Sequence, residues 1–186
     1  MNTFFSSDYH FYHTNIIRYQ SRPFDSVDEM NQGLIDNNNS VVGKKDTLYI
    51  VGDIAIGATP LEIANILNQM NGRKILIVGN HDIPFLKHAD FTSCFAEIHH
   101  LLSIKLNKQY IQLCHYPLEI WDRAHYGSFM LHGHSHGNLP DNPNKLRIDV
   151  GVDAQNYKPV SFDDVTSIME KKEYVQYIRP HNRNRE

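Results

Sequence analysis

The chain has 186 residues, of which 41% are hydrophobic and 21% charged, and its formal net charge is −3. These values fit a globular protein and give no strongly basic surface for non-specific nucleic-acid binding. No apolar run approaches the roughly 18 residues of a membrane-spanning helix. We therefore expect a cytoplasmic protein without a membrane partner, with one domain over residues 1–178 and a polar tail over 179–186.

The first half of the chain alternates strand-like and helix-like segments. The strand-like segments are the short apolar runs Thr3–Ser7, Thr47–Val51 and Lys74–Val78. Capping boxes open the helices between them, with Ser26 and Glu29 in the first and Thr59 and Glu62 in the second. This order predicts right-handed crossovers and a partly parallel sheet.

The second half of the chain is richer in strands. Its expected strands are Ile98–Leu106, Gln109–Cys114, Phe129–His132, Leu146–Val150 and an edge strand Tyr174–Ile178. Asn107-Lys108 is typical of a hairpin turn, and Ser161 with Asp164 begins a last capped helix. We predict an α/β fold with two stacked mixed β-sheets flanked by helices.

Five short polar clusters follow these strands or occupy their last residues. They are Asp8-Tyr9-His10, Gly52-Asp53, Gly79-Asn80-His81-Asp82, Cys114-His115 and Gly133-His134-Ser135-His136. Because ligands collect at the carboxyl ends of strands in α/β sheets, the clusters are expected to converge. Their carboxylate, amide and imidazole groups suit two ions of Mn, Fe, Zn, Co or Ni better than Ca or Mg.

Each cluster also has a simpler explanation when it is considered alone. Asp8 and Asp53 could cap helices or form turns, and Gly79-Asn80 could be a plain turn. The segment 133–136 could be a flexible connection or hold a single structural metal. Five such clusters in one chain favour a shared site over five separate explanations.

The clusters resemble the motifs of the calcineurin-like metallophosphoesterase superfamily. That pattern is D-x-H, G-D, G-N-H-[DE], a histidine after a strand, and G-H-x-H, and it matches residues 3 to about 153. The resemblance implies a four-layer α/β/β/α fold and two divalent metal ions per chain, manganese foremost. It assigns the first ion to Asp8, His10, Asp53 and His136. It assigns the second ion to Asp53, Asn80, His115 and His134, with Asp53 bridging.

The same resemblance implies hydrolysis of a phosphate ester by a hydroxide that bridges the metals. His81 would protonate the leaving oxygen, and Asp82 would orient His81 or a ligand. His13 and Arg18 could line the same mouth and bind the substrate, or they could be local surface residues.

Two features of the sequence narrow the expected class of substrate. Gly52-Asp53 lacks the following arginine of protein Ser/Thr phosphatases, so a phosphoprotein phosphatase is not expected. The sequence shows no residue beyond Arg18 that is evidently suited to bind a dianionic monoester, which favours phosphodiesters. A phosphomonoesterase and a non-catalytic metal-binding scaffold remain the alternatives, although a scaffold would tend to lose ligands or the histidine at position 81.

The aromatic and basic residues of the chain do not specify the substrate. Tyr116, Trp121 and Tyr126 follow His115 and could stack a base or an aryl group, or they could belong to the core. The lysines and arginines are scattered and form no clear nucleic-acid track. The sequence indicates neither the natural substrate nor the oligomeric state.

Overall fold

A computed structural model describes residues 1–174, so the expected edge strand, apart from Tyr174, and the polar tail lie outside the described residues. The first sheet has the strand order β4-β3-β2-β1-β9. Its strands are β1 (Thr3–Ser6), β2 (Thr47–Ile50), β3 (Arg73–Ile77), β4 (Glu97–His99) and β9 (Val160–Ser161). β1 to β4 are parallel and β9 pairs antiparallel with β1.

The second sheet has the strand order β5-β6-β7-β8. Its strands are β5 (Leu101–Leu106), β6 (Gln109–Cys114), β7 (Phe129–His132) and β8 (Arg147–Asp149). β5 and β6 form an antiparallel hairpin, whereas β6, β7 and β8 are parallel to one another. Asn107 and Lys108 both have positive φ values, of 45° and 72°, which confirms the predicted tight turn.

Within residues 1–174, five α-helices connect or flank the strands. They are α1 (Thr14–Tyr19), α2 (Val27–Val41), α3 (Pro60–Gln69), α4 (Ala89–Thr92) and α5 (Phe162–Glu170). The side chains of Ser26, Thr59 and Ser161 cap α2, α3 and α5 as predicted. None of the helices in residues 1–174 combines the length and apolar character needed to cross a bilayer.

Side-chain alternation along the strands divides the core into layers. Phe5 of β1 packs between the sheets, where it meets residues such as Leu113 and Leu131 of the second sheet. Phe4 points the other way, into the layer formed with α2 and α3. Trp121, in the segment after β6, packs on Cys114 and Met130. The predicted α/β fold of two stacked mixed sheets flanked by helices is confirmed.

Two features differ from the sequence-based prediction. The run Ile98–Leu106 is not one strand, because the chain leaves the first sheet after His99 and enters the second at Leu101. Helix α1 was not expected, and its N-cap residue His13 makes no side-chain capping hydrogen bond. Both features lie in segments without a strong local signal.

Candidate metal centre

The carboxyl ends of six strands meet at one end of the molecule. A backbone bridge between Ser7 and Gly151 joins the two sheets there, and Val152 donates its N–H to the carbonyl of Ser7. The segments that leave β1, β2, β3, β6, β7 and β8 therefore face one another. This junction brings the five polar clusters together.

The first group of candidate ligands, called here the first triad, consists of Asp8, His10 and His136. Their ligand atoms lie within 4.8 Å of one another. Asp8 and His10 are buried and His136 is partly buried. The Asp8 carboxylate also accepts the backbone N–H of His134, at 3.0 and 3.1 Å from its two oxygens. This bond links the end of β1 to the loop after β7.

The second triad consists of Asp53, His115 and His134, whose ligand atoms also lie within 4.8 Å of one another. Asp53 and His115 are buried, but His134 is exposed. The amide oxygen of Asn80 lies 3.1 Å from His115 Nε2, beside this triad. Each triad offers the carboxylate and imidazole donors that could hold a divalent transition-metal ion.

Asp53 of the second triad also faces the first triad. Its Oδ1 accepts the backbone N–H of His81 at 2.9 Å. Its Oδ2 lies 3.7 Å from His10 Nε2 in the first triad and 3.3 Å from His115 Nε2 in the second. One carboxylate oxygen therefore faces histidines of both triads.

The imidazoles of the triads are oriented through their Nδ1 atoms. His115 Nδ1 lies 2.8 Å from the carbonyl oxygen of Val51, and His136 Nδ1 lies 2.7 Å from Asp153 Oδ2. His10 Nδ1 lies 3.2 Å from His13 Nδ1, while its Nε2 is buried without a hydrogen-bond partner. A partner at Nδ1 fixes the ring so that Nε2 is free to bind a metal. The unpartnered Nε2 of His10 fits a metal ligand, since buried polar atoms are rarely left unsatisfied.

A buried ion pair supports the first triad, and the sequence analysis did not identify it. The Arg22 guanidinium donates to both carboxylate oxygens of Asp153 at 2.8 Å, and Asp153 in turn contacts His136. Arg22 also donates to the carbonyl oxygens of Asp8 and Tyr9 at 2.8 and 2.7 Å. Arg22 thus links the backbone after β1, which carries Asp8 and His10, to the carboxylate that contacts His136.

Asp149 at the end of β8 is a second supporting carboxylate that the sequence analysis missed. Its Oδ2 accepts the Ser135 hydroxyl at 2.6 Å and the Gly137 N–H at 2.9 Å. These bonds hold the loop that carries His134 and His136. Asp149 lies near the end of the predicted strand Leu146–Val150 and Asp153 follows that strand, so the two aspartates form a sixth polar cluster that could have been read from the sequence.

The backbone of the ligand residues is locally strained. Asp8, His10, Asp53, His134 and His136 all have φ between 48° and 67°. Non-glycine residues seldom adopt this region, and such strain is concentrated at functional sites. The ligand loops approach closely as well, because a Cβ at Gly52, whose φ is 89°, would lie 2.5 Å from His115 Nδ1.

The carboxylates of the two triads differ in their electrostatics. Burial raises the pKa of Asp8 to about 7, although His136 and His115 oppose the shift. Burial would also raise the pKa of Asp53, but the hydrogen bond and charge of His115 lower it to about 2. The imidazole of His115 therefore favours the charged form of Asp53 within the protein, whereas a bound cation would be needed to stabilise the charge of Asp8.

The predicted catalytic residues occupy different environments. The side chain of His81 is 45% exposed, and its Nε2 lies 3.9 Å from Asp53 Oδ2. Asp82 is fully buried and accepts the backbone N–H groups of Asp53, Ile54 and Gly79 at 2.8 to 3.0 Å. Asp82 therefore holds the backbone of the loops that carry Asp53 and Asn80.

The two residues predicted to bind substrate, His13 and Arg18, differ in their contact with the first triad. His13 contacts His10 through Nδ1, and its ring is partly buried. Arg18 is exposed on α1, where its guanidinium lies 5.4 Å from the centroid of the Tyr19 ring. The structure therefore brings His13 to the first triad, while the described contact of Arg18 is with Tyr19.

Comparison with known proteins shows a family relationship and a shared fold. No model of a protein family matches the chain. The uncharacterized protein MJ1445 of Methanocaldococcus jannaschii is 36% identical over 178 residues, which cover 92% of this chain and 93% of that protein. The crystal structure of AQ665 from Aquifex aeolicus, a protein of unknown function, has a TM-score of 0.68 and 26% identity. It covers 90% of this chain and 98% of AQ665, so the two share a fold.

A further structure is more distant. A novel archaeal phosphodiesterase has a TM-score of 0.49 and 16% identity, over 81% of this chain and 84% of that one. A likeness at this level supports no conclusion about the activity of the chain. The functional assignment therefore depends on the residues of the centre.

Proposed function

The chain belongs to one family with MJ1445 of Methanocaldococcus jannaschii, and we propose that it is a phosphoesterase that depends on two divalent metal ions. The observation that carries this proposal is the position of Asp53 Oδ2 between two His/Asp triads. This arrangement, together with the order of its motifs, supports membership of the calcineurin-like metallophosphoesterase superfamily. Manganese is the first metal to test, because mixed oxygen and imidazole ligands suit it and its transition-metal neighbours.

The proposed ligands divide between the triads as the motifs suggest. Asp8, His10 and His136 would hold the first ion, and His115, His134 and Asn80 the second, with Asp53 shared. Bound metals of this kind supply a water of low pKa as nucleophile and neutralise charge on the phosphoryl group. When they are neutral, His10, His115 and His136 suit this role, because their Nδ1 atoms already have partners and Nε2 is left for a metal.

His81 is the proposed general acid. Its imidazole is half exposed and lies beside Asp53, so it can reach the leaving oxygen of a substrate bound at the triads. The hydrogen bond from its backbone N–H to Asp53 Oδ1 fixes its loop relative to that carboxylate. Asp82 acts through the backbone of the same loops and is a positioning residue in this proposal.

A phosphodiester is the preferred substrate class. A monoester dianion needs additional cationic groups that bind its free oxygens. The guanidinium that contacts the centre, that of Arg22, is already bonded to Asp153 and to two backbone carbonyls. It is therefore not available to a substrate, which favours the singly charged diester.

Hydrolysis of two chromogenic esters tests the proposal. Metal-stripped protein is loaded with Mn²⁺, Zn²⁺, Ni²⁺ or Mg²⁺, and release of p-nitrophenol is measured from bis(p-nitrophenyl) phosphate and p-nitrophenyl phosphate. We expect metal-dependent cleavage with a higher kcat/KM for the diester. A preference for the monoester would overturn the diester assignment, and two bound ions without cleavage of either ester would favour a metal-binding scaffold.

A further inference from the structure

Tyr116 follows His115 directly and lies at the solvent side of the second triad. We propose that its ring is a binding platform for an aromatic group on the ester substituent that stays on phosphorus. The substrate would then be a phosphodiester that carries a nucleobase or a similar flat ring. This inference rests on the proposed function and names its substrate class.

The position of the Tyr116 ring supports this role. Its centroid lies 4.9 Å from that of His134 and 5.2 Å from that of His115, with interplanar angles of 70° and 71°. Tyr116 nevertheless remains 46% exposed, so much of the ring is open to solvent. An exposed aromatic ring fixed beside a reacting centre can stack with a base, because every base has a π face.

The backbone on both sides of Tyr116 is anchored. His115 on one side is fully buried. On the other side, the carbonyl of Leu118 accepts a hydrogen bond from Arg147 at 3.1 Å, and Trp121 donates to the carbonyl of Ser128 at 3.1 Å. A platform that is ordered before binding loses little conformational entropy when a substrate stacks on it.

The rings of Tyr116 and the proposed acid contact imidazoles of different triads. The ring of His81 packs against His10 of the first triad, with centroids 5.5 Å apart. Tyr116 packs against His115 and His134 of the second triad. Because His81 would protonate the leaving oxygen, the substituent near Tyr116 is the one that remains on the phosphate.

The other two aromatic residues of this segment have different roles. Trp121 is buried against Cys114 and Met130 and belongs to the core. Tyr126 is 68% exposed, but the adjacent Gly127 carbonyl accepts a hydrogen bond from Gln109 at the amino end of β6. Tyr126 is therefore at the end of the strand away from His115, and it provides a matched control.

Two substrates with the same leaving group test the platform. Thymidine 5′-(p-nitrophenyl phosphate) retains a base after cleavage, whereas methyl p-nitrophenyl phosphate retains only a methyl group. The measured quantity is kcat/KM for the thymidine ester divided by kcat/KM for the methyl ester. We expect Tyr116→Leu to lower this ratio about ten-fold, which is the effect of losing one stacking contact. Tyr116→Phe keeps the ring and should keep the ratio, as should Tyr126→Leu.

An unchanged ratio in Tyr116→Leu would overturn the platform, and so would an equal ratio change in Tyr126→Leu. Binding of thymidine 5′-phosphate to the metal-loaded protein, measured by equilibrium dialysis, separates this result from a failure of the proposed function. If the wild type hydrolyses no ester but binding weakens about ten-fold in Tyr116→Leu alone, the platform stands and the phosphoesterase assignment fails. Equal binding by the wild type and Tyr116→Leu would overturn the platform whatever the rates.

Discussion

The two triads contain the same types of ligand but differ in how the protein supports them. The first triad is connected to the buried pair of Arg22 and Asp153, which bonds to His136 and to the backbone of Asp8. The second triad ends in the exposed His134, whose ring packs against His115 and Tyr116. Partners that orient metal ligands raise metal affinity. We therefore expect the first triad to hold its ion more tightly than the second.

The largest effect is expected at Asp53, the second-triad residue that also faces the first triad and is the proposed ligand of both ions. Asp53→Asn replaces the central carboxylate with a poorer ligand, so both ions should bind more weakly. A bound ion supplies several kcal/mol of transition-state stabilisation, so diester kcat/KM should fall by more than about 10³-fold. Metal per chain is measured by mass spectrometry after dialysis, with the exposed Asp122→Asn as the control. Full metal content in Asp53→Asn would contradict a bridging position.

His81→Ala tests proton donation to the leaving group separately from metal binding at the two triads. Because His81 belongs to neither triad, the variant should keep both ions. Loss of a general acid should lower kcat for the diester by about 10² to 10⁴-fold. Steady-state kinetics and metal analysis are made on the same preparation. Wild-type rates would exclude His81 as the acid, and loss of metal would move it into the ligand set.

His134→Ala tests the second triad, which is the more exposed of the two. The variant removes an exposed ligand, so the second ion should be lost while the first stays bound. Metal titration followed by calorimetry should show one binding event in place of two, and kcat/KM should fall by about 10²-fold. Two retained events of wild-type affinity would place the second ion elsewhere.

Asp153→Asn tests the buried ion pair that supports the first triad, and it has the smallest expected effect. Asn keeps the shape of the side chain but removes the charge that orients His136 and pairs with Arg22. We expect the affinity for the first ion to fall about 10 to 100-fold, with the second ion affected less. The affinities come from competition with a metal-chelating dye, again beside Asp122→Asn. Equal weakening of both ions would show that Asp153 stabilises the whole centre rather than one triad.

Local signals in the sequence predicted much of the fold. Capping residues such as Ser26 and Thr59 and the turn at Asn107-Lys108 act within a few residues, so they can be recognised without the tertiary structure. The transfer of the chain between sheets after His99 has no such signal, because only pairing with distant strands decides it. The prediction of one strand over Ile98–Leu106 was wrong for that reason.

The candidate ligands could be identified from the sequence, but the pairing of Arg22 with Asp153 could not. The clusters after β1, β2, β6 and β7 carry compact motifs and supply the two triads, and Asn80 after β3 lies beside the second. Arg22 and Asp153 are 131 residues apart, and Arg22 belongs to no short polar cluster. Their contact forms only because the segments that follow α1 and β8 meet in the folded chain. This pairing therefore required the tertiary structure.

Anomalous X-ray diffraction from crystals of the protein loaded with Mn²⁺ tests most directly whether the two triads form one two-metal centre. We expect two peaks about 3.5–4 Å apart, one at each triad, with Asp53 as a ligand of both ions. At limiting Mn²⁺ the peak at Asp8, His10 and His136 should be the stronger. A single ion, or ions that do not contact Asp53, would contradict a shared two-metal centre.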